Sequence, residues 1–306
     1  MKVRQGTTDR SKYKLLALVL VLLVVVTLAA CTWKEQLEQS DFEEEDNRTS
    51  TDAESPLSDP EVSIQQQVIL DRDGIVITVQ ELVYRNSLGP KLILWVENNR
   101  DKAITVRTND ESINGVMMYS INSYTDVKPG QEGPDSIQFY TSILERAGID
   151  IIKDIEFTIA IEDAATYKTL FSSDLITLTT TTDTDYVQSY NDSGTLLYDE
   201  NGIKLVFQGK DEEVRSFVNF YIYIENFTDG HITIIGDDTS VNGITLNTFF
   251  ISMITTGKRD FAEMNFLKKD LLDNGIENIE ELAFSIRIYS DGSPHPIKSD
   301  LFVITF

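Results

Sequence analysis

Asp71-Arg72-Asp73-Gly74-Ile75 returns as Asp199-Glu200-Asn201-Gly202-Ile203, an offset of 128 residues in a chain of 306. The same offset carries Glu97-Asn98 onto Glu225-Asn226, Ile104-Thr105 onto Ile232-Thr233, and Asn114-Gly115 onto Asn242-Gly243. Asp101 falls on Asp229, Asp110 on Asp238 and Ser112 on Ser240. One ungapped offset held over that stretch is the signature of an internal duplication. Further on it drifts by one or two residues, with Gly148-Ile149 pairing Gly275-Ile276 and Ser173-Asp174-Leu175 pairing Ser299-Asp300-Leu301. The chain therefore reads as two copies of one domain, 64–181 and 193–306, joined by a Thr-, Asp- and Ser-rich linker at 182–192.

Within each copy the hydrophobic residues recur with period two. Ile203, Leu205 and Phe207 alternate with Lys204 and Val206. Ile155, Phe157, Ile159 and Ile161 alternate with Glu156, Thr158, Ala160 and Glu162, and Leu282, Phe284, Ile286 and Ile288 keep the same phase. This is the pattern of strands with one buried face. Asp73-Gly74, Asn114-Gly115, Asn201-Gly202, Asn242-Gly243 and Asp291-Gly292 separate the strands with residues that tolerate positive φ. One short helix is predicted per copy. Ser142-Ile143-Leu144-Glu145 fits a capping box with Gly148 as the stop, and Leu267 to Asn274 ends before Gly275. About seven strands per copy predict an all-β chain of two tandem antiparallel β-sandwiches.

What precedes the repeat has a different character. Lys2, Arg4, Arg10, Lys12 and Lys14 stand against one acid, Asp9, and Leu15 to Ala30 carry no charge. A basic start, an apolar run and small residues are the parts of a secretory signal. The run ends in Leu28-Ala29-Ala30-Cys31, and Cys31 is the only cysteine. This resembles the lipobox of a bacterial lipoprotein signal peptide. The resemblance implies cleavage after residue 30, lipid attachment at Cys31, and a location on the extracytoplasmic face of the cell membrane. The alternatives are an uncleaved anchor, for which sixteen apolar residues fall short of the ~20 a spanning helix needs, and an ordinary secreted protein. With Cys31 acylated, no thiol is left for a disulfide or a cysteine metal site.

The chain holds 50 acidic and 26 basic residues, a net charge of −24. Such a body disfavours nucleic acid and anionic headgroups as partners. Residues 31–63 concentrate the acids, Glu43-Glu44-Glu45-Asp46 among them, and read as a self-repelling disordered tether. A flexible chain of that length spans roughly 30 Å. Trp33, two residues past the lipid, is expected at the membrane interface.

The Asn-Gly-Ile strand start, the Glu-Asn strand end and the Ser-x-Asn-Gly turn, present in both copies, resemble the immunoglobulin-like repeats of an uncharacterised type of Gram-positive surface lipoprotein. The resemblance implies a fold and a location and carries no catalytic residue with it.

Candidate sites are few. The two histidines, His231 and His295, have no companions at metal-ligand spacing, and no nucleophile-elbow motif is present. Asp71 and Asp73, with Asp199 and Asn201, place oxygens at alternate turn positions where calcium could bind, although turn chemistry explains the same residues. In Phe220-Tyr221-Ile222-Tyr223-Ile224 the alternation puts Tyr221 and Tyr223 on one face, and Trp95 is the first-copy equivalent of Tyr223. These three rings form a partner patch if that face is open, and packing residues if it is covered or if Trp95 is a core tryptophan. The functional expectation is a non-enzymatic lipoprotein binding a protein or glycan of the envelope. A spacer without a ligand and an extracytoplasmic hydrolase are the alternatives.

Overall fold

Asp73 and Gly74 adopt φ of 53° and 78°, and Asn201-Gly202, Asn114-Gly115 and Asn242-Gly243 repeat that pair of values within a few degrees. Positive φ at both central residues defines the type I′ turn, whose twist matches that of paired strands. Asp291-Gly292 differs. Only Gly292 has positive φ, and the next strand begins at Lys298.

The computed structural model describes residues 62–84, 88–118, 121–122, 125–248, 250–293 and 295–306. The signal at 1–30, Cys31 and the tether as far as residue 61 lie outside the described residues. The described chain is dominated by strands. The first repeat holds β1 (Gln67–Arg72), β2 (Ile75–Val83), β3 (Lys91–Asn98), β4 (Ile104–Ile113), β5 (Val116–Met117), β6 (Ile121–Asn122), β7 (Thr125–Val127) and β8 (Gln131–Gln138). Helix α1 (Thr141–Ala147), β9 (Asp154–Asp163), β10 (Thr169–Ser172) and β11 (Ile176–Thr179) complete it. The second repeat holds β12 (Thr195–Glu200), β13 (Ile203–Asp211), β14 (Phe217–Asn226), β15 (Ile232–Val241), β16 (Ile244–Thr245), β17 (Phe250–Ile254) and β18 (Lys258–Leu267). Helix α2 (Lys268–Asp273), β19 (Glu281–Ser290) and β20 (Lys298–Thr305) follow.

Pairing runs β1-β2-β3-β8 in the first repeat and β12-β13-β14-β18 in the second, all antiparallel. Facing these, β4 pairs with β9 and β15 with β19, again antiparallel. Period-two burial follows the sequence. Ile155, Phe157, Ile159 and Ile161 are inaccessible in one core, and Leu282, Phe284, Ile286 and Ile288 in the other. A single parallel pairing, Val116 of β5 with Arg259 of β18, links the β4-β9 strands to the second repeat, so that one ten-stranded sheet runs through both.

The residues shared by the copies are spent on backbone geometry. Asn98 donates to the Lys102 and Val127 carbonyls at 2.9 and 2.8 Å, and Asn226 donates to those of Gly230 and Ile254, each at 2.9 Å. Asn114 accepts from the amides of Lys153 and Asp154, and Asn242 from those of Glu280 and Glu281. Asp110 and Asp238 take positive φ at the register shifts of β4 and β15. Asp and Asn suit such positions because they tolerate the left-handed region and can satisfy nearby backbone groups.

The described residues hold eleven and nine strands where about seven per copy are expected, and the parallel β5–β18 pairing departs from two purely antiparallel sandwiches. The capping box does not form. Tyr140 is the N-cap, no side chain caps it, and Ser142 lies inside the helix. Gly148 does stop α1, with φ of 66°, and the Ile149 amide reaches the Leu144 carbonyl at 2.8 Å. Ser63, expected in the tether, already bonds Thr181 through both backbone groups.

Candidate functional site

Asp71 and Asp73 are exposed at the end of the first hairpin, and Asp199 and Asn201 are exposed at its counterpart. Asp73 and Asn201 hold the left-handed turn positions, and the Asp73 carboxylate lies 3.5 Å from the Arg72 guanidinium. Among the described residues no group of three or more His, Cys, Asp or Glu side chains gathers as a metal site. The turn accounts for these residues, so the geometry adds nothing to the calcium reading. His231 and His295 are both exposed.

The structure separates the three aromatic residues, covering the face that carries Tyr223 and leaving Trp95 on another. On β3 the inner residues Leu92, Leu94 and Val96 are inaccessible, and Trp95 points outward, half-buried between Thr78 and Pro134 in the pairing register. It is not a core tryptophan. Tyr223, its equivalent, is 1% exposed and packs with the first repeat's core, together with Phe261 and Val206. Tyr221 is half-buried, with the Arg146 guanidinium 4.4 Å above its ring. The covered face is the outer face of β13, β14 and β18. The first repeat lies against it, a contact that alternation in β14 cannot reveal.

Two arginines build this junction, and the sequence reading singled out neither. Arg146, in the last turn of α1, donates to the Phe261 carbonyl at 2.9 Å and approaches Glu263 at 3.3 Å. Arg259 donates through Nε to the Tyr223 hydroxyl at 3.1 Å, and that hydroxyl donates to Glu225 at 2.5 Å. The same guanidinium lies 4.0 Å from the Tyr190 ring centroid and 4.9 Å from that of Phe227. Tyr190 belongs to the linker, and its hydroxyl donates to the Asn114 carbonyl at 2.5 Å. Lys258 forms an ion pair with Glu156 across the same boundary. Burial, and then the Glu225 carboxylate, raise the Tyr223 phenol well above its ordinary value, against the opposing pull of Arg259.

The linker is docked along its length. Lys153 donates to the Thr184 and Tyr186 carbonyls, each at 2.8 Å, and Gln188 donates to the Gly148 carbonyl at 2.9 Å. The one hint of this in the sequence was the placement of Tyr186 and Tyr190 in a segment whose only other apolar residue is Val187.

No protein-family model and no curated protein matches the chain. Solved structures similar to it include the YadV chaperone, at 11% identity and a TM-score of 0.24, with 76% of this chain and all of that one covered. The exo-chitosanase CsxA of Amycolatopsis orientalis is similar at 11% identity and a TM-score of 0.23, over 74% of this chain and only 26% of the enzyme. A protein of unknown function from Porphyromonas gingivalis W83 is similar at 11% identity and a TM-score of 0.22, over 76% of this chain and 100% of that one. At these scores the likeness carries no argument about fold or activity. No described helix is long and apolar enough to cross a membrane.

Proposed function

We propose that this chain is a lipid-anchored lipoprotein of the extracytoplasmic membrane face, in which two tandem immunoglobulin-like β-sandwich domains form a non-enzymatic binding head for a protein or glycan of the envelope. Leu28-Ala29-Ala30-Cys31 supports the anchor. Matched pairing orders and two separate hydrophobic cores support the tandem domains, with boundaries near 64–181 and 193–306. The observation that carries binding is Trp95. It stands half-buried on an outer sheet face, while the ring at the equivalent position, Tyr223, is covered. An amphipathic ring on an outer sheet face suits stacking against a sugar or a protein side chain. A spacer without a ligand is the second reading, favoured by the docked linker and the arginine junction.

Two measurements test this. Cells supplied with labelled fatty acid should label the wild-type chain and leave Cys31→Ser unlabelled, and equal labelling would end the anchor reading. Purified envelope sacculi should co-sediment the chain, and Trp95→Ala should weaken that binding about tenfold or more, as loss of a central aromatic anchor does. No co-sedimentation, or equal amounts of both proteins, would favour the spacer.

A further inference from the structure

A row of four charges crosses the outer face of the second repeat. Asp199 on β12, Lys204 on β13, Glu225 on β14 and Arg259 on β18 each stand opposite the next in the pairing register. The signs alternate, so each carboxylate of the row has a cation as its neighbour. Lys204 also pairs with Asp192 of the linker at 2.6 Å, and Arg259 approaches Glu225 at 3.5 Å. The same row in the first repeat is Asp71, Val76, Glu97 and Glu132. Both acids are kept and both cations are gone, one replaced by an apolar side chain and the other by a third acid.

Glu97 and Glu132 stand directly opposite each other, an arrangement that like charges disfavour. Among the described residues, none of the three acids of this row takes part in an ion pair or a side-chain hydrogen bond. Asp71 and Glu132 are exposed. Trp95 lies in the adjacent outward row, half-buried between Thr78 and Pro134 and two residues from Glu97. In the second repeat the equivalent pair, Tyr223 and Glu225, holds the Arg259 guanidinium, which also meets the rings of Tyr190 and Phe227. The first repeat thus keeps the acid and the aromatic ring of that arrangement and lacks the guanidinium.

We propose that the Trp95 face takes a basic segment of a partner protein, one arginine of which sits against Trp95 and between Glu97 and Glu132. A second cation of the segment meets Asp71. The partner then supplies in trans what Lys204 and Arg259 supply to the second repeat within the chain. Arginine suits the central place better than lysine, because its planar group stacks on a ring while donating to two carboxylates. This partner deepens the binding role proposed for Trp95 and stands only if that role does.

Fluorescence of the full chain in neutral detergent micelles tests this, with Trp33→Phe leaving Trp95 as the one tryptophan. Tetra-arginine amide is the probe. Trp95 emission should change saturably, and the affinity should fall about tenfold or more as salt rises from about 0.05 M to about 0.5 M. Glu97→Gln with Glu132→Gln should weaken binding about tenfold or more. Glu132→Arg, which rebuilds the alternating row within the chain, should do the same. Glu277→Gln with Glu280→Gln removes as much negative charge from exposed places in the second repeat and should leave binding unchanged. No change in emission, or equal binding by all these chains, overturns the basic partner. So does an emission change given by calcium alone and not by the peptide. Trp95-dependent co-sedimentation with sacculi is a separate readout, so a wrong partner is distinguishable from a wrong binding face.

Discussion

Asn98 and Asn226 are inaccessible to solvent, and each holds one carbonyl of the loop that leaves its strand, Lys102 or Gly230, and one from a later strand, Val127 or Ile254. Buried amides that satisfy backbone groups are costly to lose, because a carbonyl left unpaired costs about 1–3 kcal/mol. This is why the asparagine survives in both copies, and why its identity between copies marks the fold. Tyr223 shows the opposite behaviour, since its role exists in one copy only. Its phenol is raised above the ordinary value of 10.0, so the folded state holds the proton more tightly than the unfolded state. The stability this contributes is complete below pH about 10 and is lost as the pH climbs past that value. Tyrosinate absorbance should therefore show phenols that ionise late, and Tyr223→Phe should reduce that late step by one phenol. A Tyr223→Phe chain with the same alkaline titration would contradict the assignment.

The same type I′ turn meets different surroundings in different hairpins. Gly202 and Gly243 have nearly equal φ, 81° and 77°, yet a Cβ at residue 202 would lie 2.9 Å from the Phe227 carbonyl oxygen, while one at residue 243 would meet nothing within 4 Å. Gly243→Ala should cost about 1 kcal/mol, the price of a left-handed alanine. Gly202→Ala should cost about 2–3 kcal/mol, because backbone must also shift. Denaturant midpoints compare the two directly. The turns were legible in sequence because their signal is local, a small or Asx residue followed by glycine. The capping box was misread for the same reason. Ser142-x-x-Glu145 has the right spacing, but the chain enters α1 at Tyr140, held by the Leu88 carbonyl bonding the Thr141 amide.

Across the whole molecule the junction joins the two cores. Arg259 is stacked between Tyr190 and Phe227 and bonded to Tyr223, and Arg146 covers Tyr221. Removing a largely buried, bonded guanidinium typically costs about 3–5 kcal/mol. Wild-type unfolding should be one transition, and Arg146→Ala with Arg259→Ala should divide it into two, read by calorimetry. Arg259→Lys should not restore the single transition, because an ammonium cannot stack and donate as the planar group does. A single transition in the double variant would show that the repeats are coupled by other means. The chain's own pattern determined the strands, their inner faces, the four two-residue turns and the helix stops, since each depends on residues near one another in sequence. It also carries the whole case for Cys31. Which outer faces are open was decided only in three dimensions. Trp95 and Tyr223 occupy the same place in the same pattern, and alternation distinguishes the inside of a strand from its outside and nothing more. Packing against the first repeat's core, far away in sequence, covers one ring and leaves the other half-buried.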